Sequence, residues 1–76
     1  MSESASYIQK EIIRILKENR TSYANPMNSL AISRRLNATP SYIREQAKRL
    51  SDQGLLNVRR GPGGGYFIDS NGEDNS

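Results

Sequence analysis

The chain has 76 residues, 11 basic and 8 acidic side chains, a net charge of +3, and neither cysteine nor histidine. That length holds one small domain, and the missing residue types exclude disulfides, thiolate or imidazole catalysis and nearly all zinc chemistry. Every basic residue lies between Lys10 and Arg60, where only Glu11, Glu18, Glu45 and Asp52 oppose them, so the body of the chain carries +7 and attracts polyanions.

Eight of the basic residues are arginines, whose planar fork suits phosphate and base edges better than plain solvation requires. No apolar run approaches the ~20 residues of a membrane span, and Met1 to Ser6 lacks the basic start and apolar stretch of a signal peptide. These features predict a cytoplasmic, nucleoid-associated protein with no membrane partner.

Residues 1–5 are small and polar and are expected to be disordered. From Ser6, a candidate N-cap, Ile8, Ile12, Ile15 and Leu16 recur at helical spacing and Ile13 widens the stripe. Lys10, Arg14 and Lys17 lie opposite, and the pattern ends near Asn19 and Arg20. Thr21 to Pro26 reads as a loop, because Asn25 is steered out of helix by Pro26. Met27 can form a strand of one or two residues. A second helix is predicted over Ser29–Leu36, capped by Asn28, with Leu30, Ile32 and Leu36 as its apolar positions. Asn37 and Ala38 make a tight turn, since asparagine tolerates the left-handed conformation. Thr39 and Pro40 are an N-cap followed by proline at the first helical position. The third helix is predicted over Pro40–Gln53, with Ile43, Ala47 and Leu50 inward and Gly54 as its stop. Leu55–Arg60 and Tyr66–Asp69 are the expected strands of a hairpin, with Val58 and Phe67 facing the helices. Residues 70–76 are acidic, polar and expected to be disordered.

This order is that of a winged helix–turn–helix: mainly α, three helices plus a small β-hairpin, in one domain over residues 6–69. In the bihelical unit Ser33 supplies the small residue where the helices cross, Asn37 and Ala38 the turn, and Ile43 the apolar residue of the next helix. Ser41, Tyr42, Arg44, Glu45 and Lys48 avoid the apolar stripe of the third helix. They sit on the part that enters a major groove in this geometry. Arg44 suits guanine and Glu45 suits cytosine. The hydroxyls of Ser41 and Tyr42 suit phosphate, as does the helix start after Thr39. A solvated i,i+4 face for Arg44 and Lys48, and core packing for Tyr42, remain the plainer readings.

Between the strands, Gly61, Gly63, Gly64 and Gly65 permit close backbone approach, and Arg59 and Arg60 stand at the lip. An arginine there can enter a minor groove, whose potential is most negative where it is narrow. Strand alternation sends the two arginines to opposite faces, and Arg60, nearer the turn, is the favoured reader. No Gly-Lys-Ser/Thr follows the glycines, which sets aside a nucleotide-phosphate loop. Few acid–base groups are present, so no enzyme is expected, and no metal, cofactor or small-molecule ligand is indicated.

Thr39-Pro40-Ser41-Tyr42-Ile43, Leu50, Gly54-Leu55-Leu56 and Arg60-Gly61-Pro62-Gly63-Gly64-Gly65-Tyr66 resemble the winged-helix domain of the IscR-like iron–sulfur regulators, over about residues 7–69. GntR-type regulators have similar glycine-rich wings. The resemblance implies a bacterial or phage transcriptional regulator that binds double-stranded DNA, with Ser41 and Tyr42 on the DNA backbone and Arg60 in the minor groove. The family's cluster-binding cysteines and long dimerisation helix have no counterpart here, so iron–sulfur sensing is not carried over. The family often has glutamate where this chain has Arg44, with Glu45 one place later, so base preference should differ. A homodimer is expected for a palindromic site, either through Tyr7 or Ile13 on the first helix or by two monomers bound side by side on the DNA. The competing class is a winged-helix module that docks on a transcription, replication or phage-assembly protein.

Overall fold

The apolar stripes predicted for the first and third helices are the core, joined by Ile32 of the second. In the computed structural model, which describes residues 5–69, helix α1 spans Ala5–Glu18, α2 Ser29–Leu36 and α3 Pro40–Asp52, followed by strands β1, Asn57–Arg59, and β2, Gly65–Phe67. The expectations for residues 1–4 and 70–76 lie outside the described residues. Ile8, Ile12, Ile15 and Leu16 of α1 meet Ile32 of α2, Ile43, Ala47 and Leu50 of α3, and Leu56 and Ile68 beside the strands. α1 packs against both other helices and β2. The fold is the three helices plus hairpin of a winged helix.

Ser6 is not the N-cap. α1 begins at Ala5, and Ser6 is exposed within it; alanine, the strongest helix former, extends the helix past the serine. The other two caps stand as expected. Asn28 accepts from the Ala31 N–H at 2.8 Å and Thr39 from the Tyr42 N–H at 3.2 Å. All three helices end the same way, with a left-handed residue that lets the next N–H reach back five residues. The residues are Arg20, Asn37 and Gly54, at φ 52°, 55° and 78°. The closing bonds run from Thr21 to Leu16, Ala38 to Ser33 and Leu55 to Leu50. Gln53 is thereby the C-cap of α3 rather than its last residue.

Leu30 does not face inward but stays 48% exposed. It is two residues, about 200° of helical rotation, from the fully buried Ile32, so one face cannot hold both. Leu36, four residues from Ile32, packs at the core edge.

The hairpin is shorter than expected. Leu55 still closes the end of α3, and the Ile68 N–H turns away to the Thr21 hydroxyl at 3.1 Å. The strands pair antiparallel, Asn57 with Phe67, Val58 with Tyr66 and Arg59 with Gly65. Met27 bridges Tyr66 from the other side, through bonds of 2.9 and 2.8 Å, so β2 is the middle of three extended segments. Cross-strand partners share a face. Val58, Tyr66 and Ile68 therefore point to the helices, and Phe67 does not, contrary to expectation. Its ring is buried against Tyr23 instead, edge-on at 5.9 Å.

Candidate nucleic-acid interface

Two turns of α3 and the inner face of the hairpin form one surface. Pro40 opens α3 and the Thr39 cap fixes its start, and Ser41, Arg44, Glu45 and Lys48 are exposed along its first nine residues. Arg44 reaches across to α2. Its Nη1 donates to the Ser29 hydroxyl at 3.3 Å and its Nη2 to the Ser41 hydroxyl at 3.1 Å. The guanidinium thus spans the starts of both helices of the bihelical unit.

Strand alternation carries Arg60, like Val58 and Tyr66, to the α3 side. Arg44, Lys48, Val58, Arg60 and Tyr66, with Ser51 and the acid Asp52 at the helix end, line a depression of about 280 Å³ between helix and hairpin. A second, of about 310 Å³, runs from Asn28 and Ser29 to Arg60, Gly61 and Gly64. Tyr66 borders both. Burial pushes its phenol above the ordinary range, while Arg44 and Arg60 pull it down without cancelling the effect. The hydroxyl therefore keeps its proton at neutral pH and is a donor for an anionic oxygen.

Of the residues singled out from sequence, Ser41, Arg44, Lys48, Arg60 and Gly64 come together here. Glu45 lies on the neighbouring stripe of α3, 3.5 Å from Arg49, and Lys48 is 3.4 Å from Asp52. Tyr42 is half-buried against the core, and the Thr39 hydroxyl is occupied in capping. The guanidinium of Arg59 points elsewhere, onto Tyr23 on the far face of the hairpin.

The glycines have a reason that their sequence did not show. Gly61 to Gly64 form a type II turn with Pro62 second and Gly63 third, closed by a 2.9 Å bond from the Gly64 N–H to the Gly61 carbonyl. Gly63, at φ 74°, supplies the positive φ that this turn requires. A Cβ on Gly64 would collide with the Arg59 carbonyl, and one on Gly65 would sit 2.7 Å from the Met27 backbone. Packing within the wing demands Gly64, and packing of the wing on Met27 demands Gly65.

Sequence reasoning missed Ser29 and Tyr66. Tyr66 carried little signal, since a turn centred on Pro62 and Gly63 would pair Val58 with Phe67, one residue away from the observed partner. Ser29 carried none, because only the packing of α2 on α3 brings it to Arg44.

Residues 4–75 match the Rrf2 family, described as iron-dependent transcriptional regulators. The chain is similar to a protein of Lactococcus lactis subsp. lactis (strain IL1403) named "Putative HTH-type transcriptional regulator YffB", with 40% identity over 57 residues. That alignment covers 75% of this chain and 33% of the relative, so the chain spans about a third of the relative's length. No solved structure matches it. Matched over nearly its whole length and folded as the resemblance implied, the chain belongs to the Rrf2 family of transcriptional regulators.

Proposed function

We propose that this chain is the DNA-reading module of a transcriptional regulator, with α3 in the major groove and the wing at the adjacent minor groove. The observation that carries this reading is the convergence of Arg44, Lys48 and Arg60 around Tyr66 on one surface. α3, with 13 residues, is about 20 Å long, enough to cross a major groove about 12 Å wide. A sugar–phosphate strand separates the two grooves. With α3 in one and Arg60 in the other, that strand runs over Tyr66, Ser29 and Ser41, whose hydroxyls suit its oxygens.

Arg44 is the base reader, with Glu45 beside it. Thr39, Ser41 and Tyr42 set the helix on the backbone, and Gly63 and Gly64 let the wing approach closely. A palindromic site would seat two copies with half-sites about 34 Å apart. The module is a binder rather than an enzyme. Glu11 and Glu18 pair with Arg14, Glu45 with Arg49 and Asp52 with Lys48, so the acids of the basic body are engaged in ion pairs. The iron of the family's description finds no donor set here. The chain has no cysteine or histidine, and no cluster of three potential ligands occurs among the described residues. The residues present do not fit an iron or iron–sulfur site.

The test is selection of bound duplexes from a random pool, followed by titration of the selected site in a salt series. Contact with roughly six phosphates predicts about a thousandfold loss of affinity between about 50 and 200 mM salt. Arg60→Ala should weaken binding by about 1–3 kcal/mol and reduce the salt slope by about one, with the fold intact. Binding that ignores salt and persists after nuclease treatment would assign the surface to a protein partner instead.

A further inference from the structure

We propose that Tyr23 and Arg59 form a brace that holds the wing in its DNA-reading orientation, so that of the two adjacent arginines one reads and the other positions. The inference rests on the wing's assigned role at DNA. Arg59 lies one residue before Arg60, at the last position of β1. Its guanidinium carbon is 5.0 Å from the centre of the Tyr23 ring. Its Nη1 donates to the Tyr23 carbonyl at 3.0 Å, across 36 residues of sequence. The same ring meets Phe67 edge-on at 5.9 Å and 87°. One aromatic side chain of the α1–α2 loop thus grips both strands of the hairpin, β1 through Arg59 and β2 through Phe67.

A two-stranded hairpin with three residues in each strand is marginal alone, and a wing tip ordered only on binding loses affinity to that ordering. Stacking and the hydrogen bond fix β1 at the residue where it enters the turn. Because alternate strand residues face opposite ways, fixing Arg59 outward directs Arg60 inward, toward Tyr66 and Arg44. Arg59 has its charge on a ring and a donor on a carbonyl, so it is committed within the protein. Tyr23, 63% exposed and packed on Arg59 rather than on the surface of Arg60 and Arg44, becomes a positioning residue for DNA binding.

The experiment combines wing dynamics in the free protein with a double-mutant cycle on the selected duplex. NMR relaxation of the Gly61, Gly63 and Gly64 amides should show a more mobile tip in Tyr23→Ala and an unchanged one in Tyr23→Phe, which keeps the ring. Tyr23→Ala should weaken duplex binding about three- to tenfold, Tyr23→Phe should not, and the loss should vanish when combined with Arg60→Ala. A purely structural role would give the same loss in both backgrounds, and that result overturns the proposal. Wild-type binding or an unaltered tip in a folded Tyr23→Ala protein overturns it as well. If Tyr23→Ala does not fold, Arg59→Met replaces it, since methionine covers the ring but lacks the cation and the donor. It should reproduce both the mobility and the loss, and failure on either count overturns the brace. If Arg60→Ala itself leaves binding unchanged, the wing's DNA role fails, while tip mobility in the free protein still decides the brace.

Discussion

Arg20 and Gly64 show how two single residues hold opposite positions on one backbone rule. Arg20 closes α1 at φ 52°, a conformation that crowds the Cβ of an ordinary residue and costs about 1 kcal/mol. Arg20→Gly should therefore raise stability by about 0.5–1 kcal/mol, read as a higher urea midpoint with an unchanged m-value. Asn37→Gly, at φ 55°, should gain less, because asparagine already tolerates that region. Gly64→Ala runs the other way. Its methyl would enter the space of the Arg59 carbonyl, so the hairpin must open, at about 1–3 kcal/mol. The left-handed ends at Asn37 and Gly54 were legible in the sequence, because asparagine and glycine advertise them. The one at Arg20 was not, since arginine carries no such signal and the motif is imposed by where α1 must stop.

Among elements, the helices were more legible than the hairpin. Ile8, Ile12, Ile15 and Leu16 announce their face by spacing alone, and the caps at Asn28 and Thr39 act over three residues. Leu30 misleads because a two-turn helix offers too few positions to set its phase. Phe67 misleads because its face depends on the hairpin register: symmetry about Pro62 and Gly63 would pair it with Val58, but the strands pair one residue out of that register, Val58 with Tyr66. Of the interface, Arg44, Lys48 and Arg60 could be named from the sequence, whereas their meeting at Tyr66 and Ser29 arises only from packing. Thr21 was equally hidden. Its buried hydroxyl donates to the Leu16 carbonyl at 2.9 Å and accepts from the Ile68 N–H at 3.1 Å, fastening the end of α1 to the residue that follows β2. Thr21→Val keeps the shape but strands the Ile68 donor, and should cost about 1–3 kcal/mol in urea unfolding. Thr21→Ser should retain most of the stability.

For the molecule as a whole, charge and titration separate cleanly. The eleven cations are arginine and lysine, and no histidine or cysteine is present to titrate near neutrality. Burial moves Tyr66 upward, further from it. In Glu11 the hydrogen bond from Arg14, above all, moves the carboxyl downward. A carboxylate lowered in the folded state adds stability above its unfolded value and loses it as pH falls through the folded one, so Glu11 acts only in acid. DNA affinity at fixed salt should thus vary by less than about twofold from about pH 6 to pH 9, checked by titrating one duplex across that range. The segment between α1 and α2 has a wider consequence. Thr21 is tied to Ile68, Tyr23 to Arg59 and Phe67, and Met27 to Tyr66. In a random-mutagenesis screen for loss of repression or activation, this stretch, which reads as a mere connector, should collect hits as densely as the glycine tip itself. Such a map would redraw the wing as a unit of two distant stretches of chain, inherited and altered together.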